Sequence, residues 1–265
     1  MWRLAHLTFA ISTIGLLLTG MTLFYAQSFW APAVSHALGG PRVTGLIHRV
    51  FAVAFLSVFV GHLVYVTVRI IRNRRTFRWF GPTSLLPNLQ DLVDIYMMFR
   101  WFVGAGPKPL FDKWTYWEKF DYWAPWWGVI IIGVSGAMMW FHNFTASILP
   151  GWVFNVTTIV HGEEALLAAG FLFTVHFFNN HWRPEQFPLD LRMFTGVMPL
   201  EQFRREHTLE YDRLVESGRL AGYTVQAPSR PMALGSAILG FFLSGVSLIF
   251  LIFILSAFAQ SIMGG

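Results

Sequence analysis

The sequence predicts an all-α integral membrane protein, a helical bundle with five transmembrane helices and one interfacial amphipathic helix. Of the 265 residues, 55% are hydrophobic and only 12% are charged, and the mean hydropathy is +0.51. A soluble domain rarely combines so few charges with so many aromatic residues. A helix needs about 20 apolar residues to cross the bilayer core, and five stretches meet this requirement. They are residues 5–25, 44–71, 123–142, 153–178 and 232–260.

The distribution of basic residues predicts the orientation of these five spans. Arginines are concentrated in residues 69–78 and 181–231, whereas the loops 26–43 and 143–152 contain only Arg42. Because positively charged loops stay inside, we expect a multi-pass protein of a bacterial or archaeal cytoplasmic membrane. Its N-terminus would be cytoplasmic and its C-terminus outside. The net charge of +5 is explained by this pattern, so no nucleic-acid partner is expected.

The segments between the spans predict three parts of the chain. Residues 84–104 are too short and too charged to cross the membrane, so we expect an interfacial amphipathic helix there. This helix belongs to a four-helix domain, residues 1–200. Residues 201–231 form a cytoplasmic loop, and residues 232–260 form an additional fifth span.

Two of the spans each carry a pair of widely spaced histidines. His48 and His62 are 14 residues apart, and His161 and His176 are 15 residues apart. In an α-helix these steps correspond to about 21–22 Å and return to within about 40–60° of the same face. Two such helices packed antiparallel would hold four imidazoles in an outer and an inner layer. Ionisable residues at membrane depth are usually functional, and two stacked haems with axial histidines fit this geometry.

His6, near the start of the first span, competes with His62 for a position in the inner layer.

The sequence contains no Cys, which excludes thioether-attached haem and Cys-ligated iron–sulfur clusters. Any haem is therefore non-covalent. Of the remaining histidines, His36 and His207 are expected to be solvated in loops, and His142 and His181 are expected at the ends of spans, at the interface. One of these four could serve a third haem.

Three charged residues accompany these histidines. Arg49 follows His48 and is either a partner of a haem propionate or a snorkelling arginine. Glu163 and Glu164 follow His161. They are either a proton relay for quinone chemistry or interfacial carboxylates in the N-terminal turn of a helix.

Spaced motifs in four of the spans resemble a known family, the di-haem cytochrome b (gamma) subunits of membrane-bound formate dehydrogenases and their thiosulfate-reductase-like relatives. The motifs are RLAHLTFAISTIGLLLTG, GLIHRVFAVAF, EKFDYWAPWWGVIIIGVSGAMMWF and IVHGEEALLAAGFLFTVHFF, the last followed by HWRPEQFPLDLRMFTG. The resemblance covers roughly residues 3–195. It implies an outer haem held by His48 and His161 and an inner haem held by His6 and His176.

The resemblance is incomplete at the inner layer. Family members usually lack a histidine at the position of His62, and their fourth-span histidines are one residue closer together than His161 and His176. In a continuous α-helix this extra residue turns His176 by about 100°. His62 could then replace His6, so both alternatives stay open.

Together these observations predict a membrane cytochrome b subunit with two non-covalent b-type haems. It would transfer electrons between the quinone or menaquinone pool and an outer-face partner within a respiratory oxidoreductase complex. The expected partner is a multihaem c-type cytochrome or an iron–sulfur subunit, because this chain holds no such centre. Bis-histidine coordination leaves no open iron position, which favours electron transfer.

Two alternatives come from other functional classes. A metal or ion transporter could use layered His and Glu side chains as a pathway, but it would need discontinuous helices, and no predicted span has Pro in its middle. The chain could also be a membrane anchor without redox function.

Overall fold

The computed structural model describes residues 2–184 and 186–263, which contain helices and no strand. Five of the helices are long and apolar enough to cross a membrane, so the predicted all-α membrane bundle is confirmed. In chain order the helices are α1 (Trp2–Phe24), α2 (Ala31–Ala37), α3 (Pro41–Arg72), α4 (Leu89–Phe102), α5 (Tyr116–Trp140), α6 (His142–Ile148), α7 (Trp152–Phe171), α8 (Arg192–Thr195), α9 (Leu200–Glu206), α10 (Thr208–Glu216) and α11 (Arg230–Met263). The spans are α1, α3, α5, α11, and α7 with its helical continuation to Trp182.

The spans pack as two pairs, α1 with α3 and α5 with α7, and α11 packs against α1 and the end of the fourth span. The buried core lies where α1, the fourth span and α11 meet. Phe173 and Met21 are among its most buried side chains. Trp30 joins this core from the α1–α2 connection, since its indole donates to the carbonyl of Phe253 at 3.0 Å. Of the five spans, α3 and α5 have the smallest share of buried residues.

α5 begins earlier than the hydropathy of the sequence predicts. The helix starts at Tyr116 with a capping box, in which Thr115 accepts from the backbone N–H of Glu118 and Glu118 accepts from that of Thr115. Pro125 therefore lies inside α5. In the predicted span, which starts at residue 123, Pro125 lies near the beginning, because charged residues of the first turns of α5 hide the helical start from a hydropathy window.

α4 is the predicted interfacial helix, and its polar residues face inward. Asn88 caps it by accepting from the N–H of Gln90 at 2.8 Å. Asp91 and Asp94 are buried, whereas apolar residues such as Leu92 and Phe99 are exposed. A helix that turns its apolar face away from the protein fits the boundary between head groups and acyl chains.

A buried ion pair joins α4 to α5. The ammonium of Lys119 lies 2.7 Å and 3.0 Å from the two carboxylate oxygens of Asp91, and both residues are more than nine-tenths buried. Such a pair contributes little relative to an apolar contact, but removing one partner leaves the other charge buried without compensation. The pair therefore fixes where α4 lies on the bundle.

The polar segments on one side of the bundle, residues 73–115, 183–184 and 186–229, form what we call the basic side. The guanidinium of Arg213 binds both carboxylate oxygens of Asp112 at 2.6 Å and 2.7 Å. His207 is buried, and its Nδ1 lies 2.9 Å from the carbonyl of Asp112. The expectation that His207 is solvated is therefore wrong, because α9 and α10 fold back onto the segment before α5. Arg3 donates to two carbonyls around α8 and ties α1 to the same layer.

We expect Asp91→Asn to destabilise the protein by about 3–5 kcal/mol, because the Lys119 ammonium would remain buried without a counter-charge. Asp94→Asn is the matched control on the same helix. Burial raises the pKa of the Asp94 carboxyl. Ionisation of this carboxyl therefore lowers the free energy of unfolding as the pH rises above the pKa that the same group has in the unfolded chain. Its amide should therefore be neutral or slightly stabilising at pH 7. Thermal unfolding in detergent measures both variants, and equal losses would contradict this role of Asp91.

Candidate functional site

Four histidines form two pairs at different depths of the bundle. On the side away from the basic side, His48 of α3 and His161 of α7 have ring centroids 6.2 Å apart. We call them the opposite-side pair. His6 of α1 and His176 of the fourth span have centroids 6.4 Å apart and nearly parallel rings. We call them the basic-side pair. The step from His161 to His176 separates the two layers by about 22 Å.

A local change of helix type explains how His176 reaches His6. After α7 the span continues as two π-helical segments, Leu172–His176 and Phe178–Trp182. A π-turn closes its hydrogen bond over five residues instead of four. It therefore accommodates one extra residue, and the residues that follow it keep their angular position around the helix axis. The expected turn of His176 by about 100° is therefore wrong, because it assumes a continuous α-helix.

His62 lies outside both pairs. Its Nε2 is 3.0 Å from the hydroxyl of Tyr122 on α5, and its ring meets Trp2 and Trp126 edge to face. Of the three histidines that compete for the basic-side layer, the structure thus brings His6 and His176 together. It places His62 at the seam between α3 and α5.

The hydrogen bonds of the opposite-side pair favour one basic ring nitrogen in each histidine. When the hydroxyl of Thr19 donates to the carbonyl of Gly15 at 2.7 Å, its oxygen accepts from Nδ1 of His48 at 2.9 Å. Nδ1 of His161 lies 2.9 Å from the carbonyl of Ile132, which can only accept. Both rings therefore carry their proton on Nδ1, and Nε2 keeps its lone pair. Ligating histidines are usually oriented in this way.

Two glycines give these rings their space. A Cβ atom on Gly136 would lie 2.9 Å from Cε1 of His161, and one on Gly20 would lie 3.1 Å from Cε1 of His48. Both glycines are on helices that do not carry the histidine they face, so they set how closely the spans approach at this layer.

The basic-side pair has a carboxylate neighbour that the sequence reasoning missed. Nδ1 of His176 lies 3.5 Å from Oδ2 of Asp121 and 3.3 Å from the amide nitrogen of Asn180. That amide donates to Oδ2 of Asp121 at 3.0 Å. The other oxygen, Oδ1, is buried and has no hydrogen-bond partner in the described part of the chain. The only available signal was an acidic residue in the first turns of a span.

Each histidine pair has the spacing of two ligands on opposite sides of one metal ion. A bond between a metal ion and an imidazole nitrogen is about 2.0 Å long, and the ring centroid lies about 1.2 Å beyond that nitrogen. Two opposed imidazoles therefore have centroids about 6.4 Å apart. The observed separations of 6.2 Å and 6.4 Å agree with this value. A haem iron needs only two protein ligands, so the residues present fit such a group.

The charged residues highlighted by the sequence do not join the pairs. Arg49 is exposed, and its guanidinium lies 5.5 Å from the ring of Trp140, where both line a groove of about 280 Å³ between α3 and α5. Glu164 accepts from the indole of Trp127 at 3.3 Å. Within the described residues, neither Glu163 nor Glu164 hydrogen-bonds a histidine.

The position of the two glutamates differs from the sequence interpretation. α7 begins at Trp152, so Glu163 and Glu164 lie three turns inside the helix and not in its N-terminal turn. Glu163 is exposed and close enough to Tyr25 to affect it. Burial, and secondarily the charge of Glu163, raise the pKa of Tyr25. These carboxylates therefore lie near the end of α1. Gly162, the residue before them, packs on Phe24, the last residue of α1.

No group of three or more potential metal ligands occurs among residues 2–184 and 186–263. Comparison with known proteins adds no identification, since no family model and no curated protein matches this chain.

Gly136→Ala should be destabilising relative to Gly133→Ala, because only the first methyl group collides with His161. A Cβ on Gly133 meets its nearest atom at 3.9 Å, and Ala is favoured over Gly inside a helix by about 1 kcal/mol. Thermal unfolding in detergent compares the two variants of α5. A Gly136→Ala variant as stable as Gly133→Ala would show that the spans adjust freely at this layer.

Proposed function

We propose that this protein is a membrane cytochrome b that binds two b-type haems and transfers electrons between a quinone and a redox partner. His48 and His161 would hold one haem, and His6 and His176 the other. The observation that carries the proposal is the presence of two imidazole pairs, each spaced as ligands of one ion, in two layers of a membrane bundle.

The donor set favours haem over a bare cation. Two neutral imidazoles complete the coordination of an ion only when another group supplies the remaining ligands, as the four pyrrole nitrogens of a porphyrin do. When bound, the two haems would supply one-electron carriers at two depths of the membrane. A haem held by two histidines would supply electron transfer and not oxygen binding.

The residues of this chain would orient the ligands. Thr19 and the carbonyl of Ile132 hold the protons of His48 and His161 on Nδ1, which leaves Nε2 of each ring to bind a metal. Beside Nδ1 of His176 the acceptor is the carboxylate of Asp121, at 3.5 Å, and the amide of Asn180 donates to that carboxylate and so holds it in place. Such neighbours fix the orientation of a ligating ring and raise its basicity.

The distribution of charge supports an assignment of sides. By the positive-inside rule, the basic side would face the cytoplasm of a bacterium or archaeon, and the opposite-side pair would lie towards the outside. A multihaem c-type cytochrome or an iron–sulfur subunit would exchange electrons there, and a quinone or menaquinone would react near the basic-side pair. This is the arrangement of the di-haem gamma subunits that the sequence resembles.

We expect His161→Leu to halve the haem b content per polypeptide, because the opposite-side haem would lose an axial ligand. Pyridine haemochrome analysis of the purified protein gives the haem stoichiometry. His142→Leu is the control: His142 stacks on Phe154 and belongs to neither pair, so this variant should keep its full haem content. A wild-type protein without haem b, or a His161→Leu variant with both haems, would refute the proposal.

Asp121→Asn should raise the midpoint potential of the basic-side haem and weaken its retention by about 10–100-fold, the range measured when an outer-shell partner of a metal ligand is lost. Replacing the carboxylate by an amide lowers the basicity of His176, which disfavours the ferric state. Spectroelectrochemical titration resolves the two haems, and the potential of the other haem should not change. Asp94→Asn, a buried carboxylate away from the pairs, is the control.

A further inference from the structure

His62 is a histidine at the depth of the basic-side pair that the proposed haem sites do not use. It follows His48 by 14 residues on α3, so it lies about 21 Å deeper, at the level of the basic-side pair. Trp2, one turn before His6 on α1, has its ring centroid 5.4 Å from that of His62. His62 therefore lies beside the basic-side pair without belonging to it.

His62 and Tyr122 form a polar pair with unused hydrogen-bonding capacity. Nε2 of His62 lies 3.0 Å from the hydroxyl of Tyr122, whereas Nδ1 has no hydrogen-bond partner in residues 2–184 and 186–263. Imidazole and phenol can each donate and accept. A polar pair at membrane depth with an open end is suited to a ligand that carries its own hydroxyl or carbonyl group.

Aromatic rings surround this pair. Trp2 and Trp126 approach His62 edge to face, and Phe59 packs on Trp126 at 5.2 Å. Flat aromatic walls with a few polar groups are typical of sites for planar ring compounds. The site also lies at the seam of α3 and α5, the two spans with the fewest buried residues, so a molecule dissolved in lipid can approach it from the side.

We propose that His62, positioned by Tyr122, binds the head group of a lipid-soluble hydroquinone or quinone and exchanges its protons. This inference rests on the proposed function, because the electrons must pass to the haems. His62 is thereby a catalytic residue of the quinone reaction, and Tyr122 is a positioning residue.

The reaction balances with the groups named. Oxidation of a hydroquinone breaks two O–H bonds, turns both C–O bonds into C=O, and releases two electrons and two protons. The two haems, held by His48 with His161 and by His6 with His176, would supply the one-electron acceptors for these two electrons. His62 accepts each proton in turn on a ring nitrogen and passes it to water on the basic side, while Tyr122 holds the other ring nitrogen. Quinone reduction uses the same steps in reverse.

The test compares His62→Gln and Tyr122→Phe with Tyr65→Phe. Tyr65 also contacts Trp2, but its hydroxyl accepts from Arg69, so it is a matched control. Decylubiquinol and menadiol are mixed with the oxidised holoprotein in nanodiscs, and haem reduction is followed by stopped-flow absorbance. We expect the rate to fall by about 100-fold in the two test variants, the size typical of lost acid–base catalysis. Haem content and midpoint potentials should stay unchanged, and Tyr65→Phe should react like the wild type.

Several outcomes would overturn this inference. If His62→Gln loses a haem, His62 is an axial ligand and not a quinone residue. If both test variants keep all their haem and react at the wild-type rate, the quinone binds elsewhere.

A second measurement needs no haem and separates this inference from the proposed function. A photoreactive azidoquinone should label α3 and α5 around His62 and Tyr122 in the wild type and Tyr65→Phe, and should fail to label them in His62→Gln. Labelling of a protein that contains no haem would preserve the site and refute the redox function. Labelling confined to other helices would refute the site.

Discussion

The structure depends on the register of the fourth span. His161 and His176 lie on this one helix, and each must face a histidine on a different neighbouring span, about 22 Å apart in depth. A continuous α-helix with 15 residues between them would satisfy one pairing and turn the other ring away. The π-helical continuation after α7 removes the conflict. Hydrogen bonds of a π-turn are less favourable than those of an α-turn, which is why such segments are rare and often mark functional sites.

Much of the bundle could be predicted from the sequence because hydrophobic length and histidine spacing are local signals. The five spans, α4 and the two imidazole layers follow from them. The π-helical segments could not be predicted, since periodicity arguments assume one helix type throughout. Tyr122 as the partner of His62 depends on contacts between residues 60 positions apart. The burial of His207 depends on α9 and α10 folding onto residues far before them, for which the local sequence carries no signal.

Charge placement on the basic side is consistent with the position of the basic-side pair. Asp91 and Asp112 each neutralise one cation, Lys119 and Arg213, and so hold α4, α5 and α10 together. α4 turns its carboxylates towards the protein and its apolar residues outward. The pair His6 and His176 thus lies on the side of the bundle where ion pairs hold this polar layer together.

The two histidine layers are not equivalent, and their surroundings differ in a consistent direction. On the opposite side, His48 and His161 are half-buried, and hydroxyl and carbonyl acceptors on neighbouring helices fix both rings. On the basic side, His176 is half-buried as well, but a carboxylate lies beside it, and the additional polar pair of His62 and Tyr122 lies at the seam of α3 and α5. A layer whose rings are held by acceptors suits electron exchange at fixed distance, which needs no proton. A layer with a carboxylate and an additional imidazole suits a reaction that moves protons with electrons, as the proposed quinone reaction at the basic side requires.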